Sequence, residues 1–250
     1  MQLLSTDPLI LTIDDFLTDE ECKHIINISK DRLNKARTYH YSKEEKKRVE
    51  DKNYEGRTNK NCWINFKEDD IIKNIYNKSA KLLNTDYRYF ESLQVIYYRK
   101  NEEYKYHYDA WDKTDKAKFN KYTQELGNRV YTLLFYLNDV RKGGETGFDM
   151  TKDKIKIKSV KGKALLFKNL NEDGTLNKKS RHAGLPVIQG EKWACNFWLR
   201  DKIQYKESPK KNISNVLNKL PKLDLNYIEQ NTSDEEMDLN YIDELSSDKN

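Results

Sequence analysis

Four histidines occur in the 250 residues, and two of them are placed for metal chemistry. His107 lies in EYKYHYDAW, two residues before Asp109. Along a strand, residues i and i+2 point to the same face, so the imidazole and the carboxylate can converge. By itself His-x-Asp is common and equally describes a hydrogen-bonded histidine near a strand end. His182, in KSRHAGLPVIQGEKWACNFWL, supplies a second imidazole. Two histidines and one carboxylate on an open face make the facial triad of non-haem Fe(II) oxygenases, although zinc hydrolases use similar ligands. A cation beside the site would separate the two. Lys192 is the candidate, ten residues after His182 and directly before Trp193, Ala194 and Cys195. An unpaired charge in so apolar a strand would be costly to bury. A turn at Gln189-Gly190 would bring Lys192 back on the neighbouring strand, to meet a distal carboxylate.

The elements that must carry these residues can be read from pattern. LILTI followed by Thr18 and Glu21, a capping-box spacing, predicts a strand and then an amphipathic helix carrying Cys22, Ile25 and Ile26. A second helix fits Asp69 to Leu83, with Ile71, Ile72, Ile75, Ala80, Leu82 and Leu83 as apolar positions. Residues 38–60 are polar without periodicity and read as a long loop, a length often used for lids. Strands are expected at 93–99, 129–140, 155–160, 163–170 and 192–201, separated by turn signals such as Lys142-Gly143-Gly144 and Lys161-Gly162. Helices followed by a run of strands imply an α+β protein built on a β-sandwich or jelly roll.

Composition sets limits. Hydrophobic residues are 36% and charged residues 35%, and no stretch approaches the ~20 apolar residues of a membrane-spanning helix. Seventeen Tyr, eight Phe and four Trp still supply a core. Cys22, Cys62 and Cys195 are far apart, as expected of free thiols in a reducing compartment. With no basic, apolar leader evident, a cytoplasmic location is expected. The net charge of +5 is uneven, because two Lys stand against nine Asp and Glu from Lys222 onward. The lysines of the body are diffuse and interleaved with acids, so a solvated surface is expected rather than a nucleic-acid site. Residues 1–204 read as one domain and 205–250 as a polar, acidic tail. In that tail DLNYIE (224–229) recurs as DLNYID (238–243), a candidate docking motif for a partner.

The ordered set EEYKYHYDAW, RVYTLLFYLNDVRKGGETGF, KGKALLFKNL and RHAGLPVIQGEKWACNFWLRD resembles the catalytic domain of prolyl 4-hydroxylases, over roughly residues 9–201. The resemblance implies a double-stranded β-helix core with N-terminal supporting helices. It implies Fe(II), 2-oxoglutarate and O2 as cofactor and cosubstrates, ascorbate as an accessory reductant, and a proline-containing peptide or protein as substrate. His107, Asp109 and His182 would then ligate iron, and Lys192 would hold the C5 carboxylate of 2-oxoglutarate. Tyr98 and Thr132 would face the cosubstrate, Arg129 and Trp198 the peptide, and residues 38–60 would fold over it.

Two positions depart from the family pattern: Asn101-Glu102-Glu103 precedes Tyr104 where many relatives carry Gly-Gln, and Arg200 stands where histidine is frequent. Both bear on peptide preference rather than on the metal. Hydroxylation of another residue such as lysine is the rival within the same chemistry. A nucleic-acid demethylase would need a different rim and often an arginine in place of Lys192. A silent domain that only binds proline-rich peptides is the rival of a different class, and it has no need of the triad and Lys192 together.

Overall fold

The computed structural model describes residues 1–37, 39–42, 47–50 and 56–205, with the backbone alone described for 39–42 and 47–50. The acidic segment with its repeated DLNYI lies outside the described residues. The N-terminal part contributes strands β1 (Gln2–Thr6) and β2 (Leu9–Ile13), helix α1 (Asp19–Ser29) and strands β3 (Asn34–Lys35), β4 (Tyr39–Ser42), β5 (Lys47–Glu50) and β6 (Lys60–Ile64). Helix α2 (Asp70–Leu82), strands β7 (Leu93–Tyr98) and β8 (Tyr104–His107), and helix α3 (Lys116–Thr123) follow. The rest is strand: β9 (Arg129–Tyr136), β10 (Lys142–Gly143), β11 (Thr146–Phe148), β12 (Lys156–Ile157), β13 (Ala164–Lys168), β14 (His182–Gly184), β15 (Val187–Gln189) and β16 (Lys192–Arg200).

An eight-stranded antiparallel sheet runs β1-β2-β13-β9-β16-β7-β6-β3, and a four-stranded sheet runs β12-β11-β14-β8. This is the jelly-roll architecture that the pattern implies. The central strands β13, β9, β16 and β7 of the large sheet are buried on both faces, and successive residues of a strand alternate between them. On β16, Trp193, Cys195, Phe197 and Leu199 join Cys22 and Ile25 of α1 and Ile72, Ile75 and Tyr76 of α2 in an outer core. Ala194 joins Ile96, Leu134, Tyr136, Phe148 and Leu165 in a second core between the sheets.

The helices form where the sequence places them. Thr18 accepts from the Glu21 N–H, and the Glu21 side chain accepts from the Thr18 N–H, completing the capping box. Asp69 caps α2 by accepting from the Ile72 N–H at 2.9 Å. Ile71 departs from expectation and faces outward, 36% exposed, because only one side of α2 meets the sheet.

The expected loop at 38–60 holds structure: β4 and β5 form an antiparallel hairpin from Tyr39↔Glu50 to Ser42↔Lys47, and β6 begins at Lys60. Residues 38, 43–46 and 51–55 of that stretch lie outside the described residues. The expected strand at 155–160 shrinks to Lys156–Ile157 on the edge of the small sheet. Strands β1, β3, β8, β10, β11, β14 and β15 carry too few apolar positions to register as periodic. Among the described residues no helix is long and apolar enough to cross a membrane.

Candidate active site

The site lies between the sheets, and strand register assembles it. His107 ends β8 and His182 opens β14, where the two are directly paired across the antiparallel ladder. Their ring centroids are 4.4 Å apart. Asp109 does not share the strand with His107, as the spacing suggested; it sits two residues on, after β8 has ended. The chain there turns its carboxylate back between the rings. Oδ1 is 3.7 Å from His107 Nε2, and Oδ2 is 3.5 Å from His182 Nε2.

Both imidazoles are oriented by backbone. His107 Nδ1 lies 2.8 Å from the Lys105 carbonyl, and His182 Nδ1 lies 3.0 Å from the Ser180 carbonyl. A carbonyl can only accept, so each Nδ1 carries a proton, and in the neutral ring the lone pair then lies on Nε2, facing the site. Burial holds His107 neutral, pushing its pKa down to about 3, with His182 acting in the same direction. Burial would raise Asp109, but His182, His107 and Arg129 outweigh it and hold the carboxyl down to about 2. The site therefore presents the Nε2 atoms of two imidazoles and one carboxylate, converging within 4.8 Å of one another. That donor set fits a divalent transition metal.

Lys192 is 2% exposed and has no hydrogen-bond partner among the described residues. Its Nζ stands 5.6 Å from the ring centroid of Tyr98, its cross-strand partner, and 5.4 Å from that of Tyr136. Burial pulls its pKa down to about 7, partly opposed by Glu145. The Gly-Gly-Glu-Thr segment explains part of this sleeve. Gly144 has φ +72°, and a Cβ there would lie 3.2 Å from Val140, 3.3 Å from Val187 and 3.6 Å from the Lys192 stem. Glycine lets the turn close over the lysine. Thr146 then accepts from the Tyr136 hydroxyl at 2.8 Å. The turn at Gln189-Gly190 does not make the hairpin that the spacing suggested. Strand β15 pairs with β10, whereas β16 enters the large sheet between β9 and β7. Lys192 thus arrives by a crossing between sheets.

Thr132 reaches the triad. Its hydroxyl donates to Asp109 Oδ2 at 2.7 Å and accepts from Asn169 Nδ2 at 2.9 Å, so it serves the metal carboxylate. Arg129 grips both oxygens of Glu91, and Arg200 donates to the same carboxylate and to the Gly127 carbonyl. The Arg129 guanidinium lies 3.5 Å over the Trp198 ring, and its Nη1 donates to the Asp109 carbonyl at 3.4 Å. Burial works against charge on Glu91, yet Arg129 and Arg200 hold its pKa low. Much of the hydrogen-bonding capacity of Arg129 is therefore spent inside the protein. Trp198 leans on Trp63 at 6.0 Å, and Trp63 is 48% exposed. The Trp198 indole N–H is buried without a partner of hydrogen-bonding geometry, though it lies close enough to Asp109 to help lower its pKa.

Sequence reasoning missed Glu91, Asn169 and Tyr104. Glu91 precedes Arg129 by 38 positions and Asn169 follows Thr132 by 37, separations that no local pattern reports. The Tyr104 ring stacks on His107 at 3.6 Å, with the Arg57 guanidinium 4.6 Å above it.

Comparison with known proteins agrees with this geometry. The profile of the 2OG-Fe(II) oxygenase superfamily matches residues 93–200, which span the triad and Lys192. The chain is 34% identical to probable prolyl 4-hydroxylase 7 of Arabidopsis thaliana, covering 80% of this chain and 65% of that protein. It is 33% identical to probable prolyl 4-hydroxylase 6 of the same plant, over 78% of this chain and 70% of that one. The chain belongs to the prolyl 4-hydroxylase family. It spans about two thirds of the length of these relatives. A solved family structure, the viral collagen prolyl hydroxylase of Paramecium bursaria Chlorella virus-1 in its 2-oxoglutarate complex, is 29% identical, covering 76% of this chain and 95% of that one with a TM-score of 0.57. As a member of the family the chain is an Fe(II)- and 2-oxoglutarate-dependent dioxygenase, with its metal cluster at His107, Asp109 and His182.

Proposed function

We propose that this dioxygenase hydroxylates C4 of prolyl residues in a peptide or protein, with ascorbate as accessory reductant. The observation that carries the reading is the pairing of a charge-poised triad with a buried, unpartnered Lys192 on the adjoining sheet. His107, Asp109 and His182 would hold Fe(II), and the chemistry it would supply with 2-oxoglutarate and O2 is replacement of a C–H hydrogen by hydroxyl, with succinate and CO2 as the co-products. Lys192 binds the distal carboxylate of 2-oxoglutarate and recovers full charge as it does so. Tyr98 and Tyr136 exclude water from that contact and so strengthen it. The Trp63–Trp198 wall, next along the sheet from Thr132, offers a flat apolar surface for a prolyl ring. The Glu91–Arg129–Arg200 cluster keeps Trp198 in place.

The three thiols are buried and unpaired, which is consistent with a reducing, cytoplasmic setting. The test is succinate release by purified protein with Fe(II), ascorbate and 2-oxoglutarate, with and without a proline-rich peptide such as a Pro-Pro-Gly repeat. Mass spectrometry of the peptide is the companion readout. Peptide-stimulated succinate with a matching gain of one oxygen on proline is expected. Stimulation by a lysine peptide alone would replace the substrate, and no turnover in folded, iron-loaded protein would sink the reading.

A further inference from the structure

Thr132 lies on β9 between Phe167 of β13 and Trp198 of β16, 1% exposed. Its Oγ1 touches two groups, Asp109 Oδ2 and Asn169 Nδ2. A hydroxyl has one proton to give, an ionised carboxylate has none, and an amide nitrogen can only donate. Asn169 therefore fills a lone pair of Oγ1, and the Thr132 proton is committed to Asp109. In this orientation Asn169 Oδ1 is buried without a hydrogen-bond partner; the opposite orientation would put the amide nitrogen in that place and also set two acceptors against the one Thr132 proton, a further unsatisfied group and a further cost. Asn169 is itself anchored by backbone. Its N–H donates to the Val130 carbonyl at 2.8 Å, and its carbonyl accepts from the Asn177 N–H at 3.0 Å. Among the described residues no other side chain meets hydrogen-bonding geometry with the Asp109 carboxylate.

We propose that Asn169 and Thr132 are positioning residues, a one-way relay of donors that engages Asp109 Oδ2, fixes the carboxylate plane and leaves Oδ1 to the metal. The inference rests on the triad holding a metal. It reassigns Thr132 from the cosubstrate to the metal carboxylate, and it gives Asn169 a role that depends on the direction of its hydrogen bond. Groups of this kind around a metal ligand typically change metal affinity by about 10- to 100-fold when removed.

The test is anaerobic titration of apoprotein with Fe(II), or Co(II) as a probe, followed by 2-oxoglutarate binding at saturating metal. Thr132→Val should weaken metal binding by about 10- to 100-fold and leave cosubstrate affinity unchanged, and Thr132→Ser should restore the metal. Asn169→Asp places an acceptor opposite Oγ1 and turns the proton away from Asp109, so it should weaken the metal about as much as Thr132→Val. Folded Thr132→Val protein with wild-type metal affinity would overturn the relay, as would a loss confined to cosubstrate binding. Should Thr132→Val fail to fold, Asn169→Asp decides, and metal affinity equal to wild type then overturns the relay. Metal binding by the wild-type chain that survives His107→Ala would instead remove the triad reading on which the relay stands.

Discussion

Strand β16 buries Trp193, Cys195, Phe197 and Leu199 toward the helices, and Lys192, Trp198 and Arg200 toward the site. The first set is apolar, close-packed and replaceable in principle by other side chains of like volume. Phe197, for example, stacks on Phe90 at 4.3 Å and meets Tyr76 edge-on at 4.5 Å. The second set buries a lysine without a hydrogen-bond partner and an arginine whose pKa burial lowers. One face maximises stability, and the other holds charge in an environment that does not favour it. The stable face makes the strained one possible.

Four substitutions would break or sharpen that contrast. The largest effect on activity is expected from His182→Ala, which should abolish succinate release while the far-ultraviolet circular dichroism stays native. Retained turnover would separate the iron from the triad. Phe197→Ala on the opposite face should cost about 3–5 kcal/mol in denaturant unfolding. At conditions where the variant stays folded, the 2-oxoglutarate KM should be unaltered.

Lys192→Met should do the reverse. It removes one partner of a buried charge pair, about 2–5 kcal/mol of cosubstrate affinity, yet should raise the Tm of the cosubstrate-free protein. The pH dependence follows. With its folded pKa depressed to about 7 against ~10.4 in the unfolded chain, Lys192 is more protonated unfolded than folded between those values. Its contribution to stability therefore rises with pH across that window, and Lys192→Met should flatten the rise in melting experiments. Affinity for 2-oxoglutarate runs oppositely and should weaken as pH climbs past about 7, because binding requires the ammonium. The smallest effect belongs to Thr18→Ala, which loses one half of the α1 capping box for about 1 kcal/mol and should leave every kinetic constant in place.

The two faces also differed in how far they could be read beforehand. Helices α1 and α2 and strands β7, β9, β13 and β16 follow apolar periodicity and caps, because burial acts on each residue locally. His107, Asp109, His182 and Lys192 were legible through type and spacing. Helix α3, KAKFNKYT, has too few apolar residues to betray itself. Thr132 could be placed in the site but not aimed, since its partner depends on where the chain carries Asp109 after β8 ends. Glu91 and Asn169 were invisible for a related reason. A buried polar residue looks like a surface one until the strands that enclose it are paired.

The position of β16 in the large sheet sets an order on the assembly of the molecule during synthesis. It is the last strand of the described chain, yet it lies between β9 and β7, and β2 waits for β13 more than 140 positions downstream. Strands β7 and β9 share no neighbour until β16 leaves the ribosome. The Lys192 sleeve and the Trp198 wall therefore come into being together, once β16 has been made. A nascent chain halted at His182 would hold all three metal ligands and still have no place for the cosubstrate.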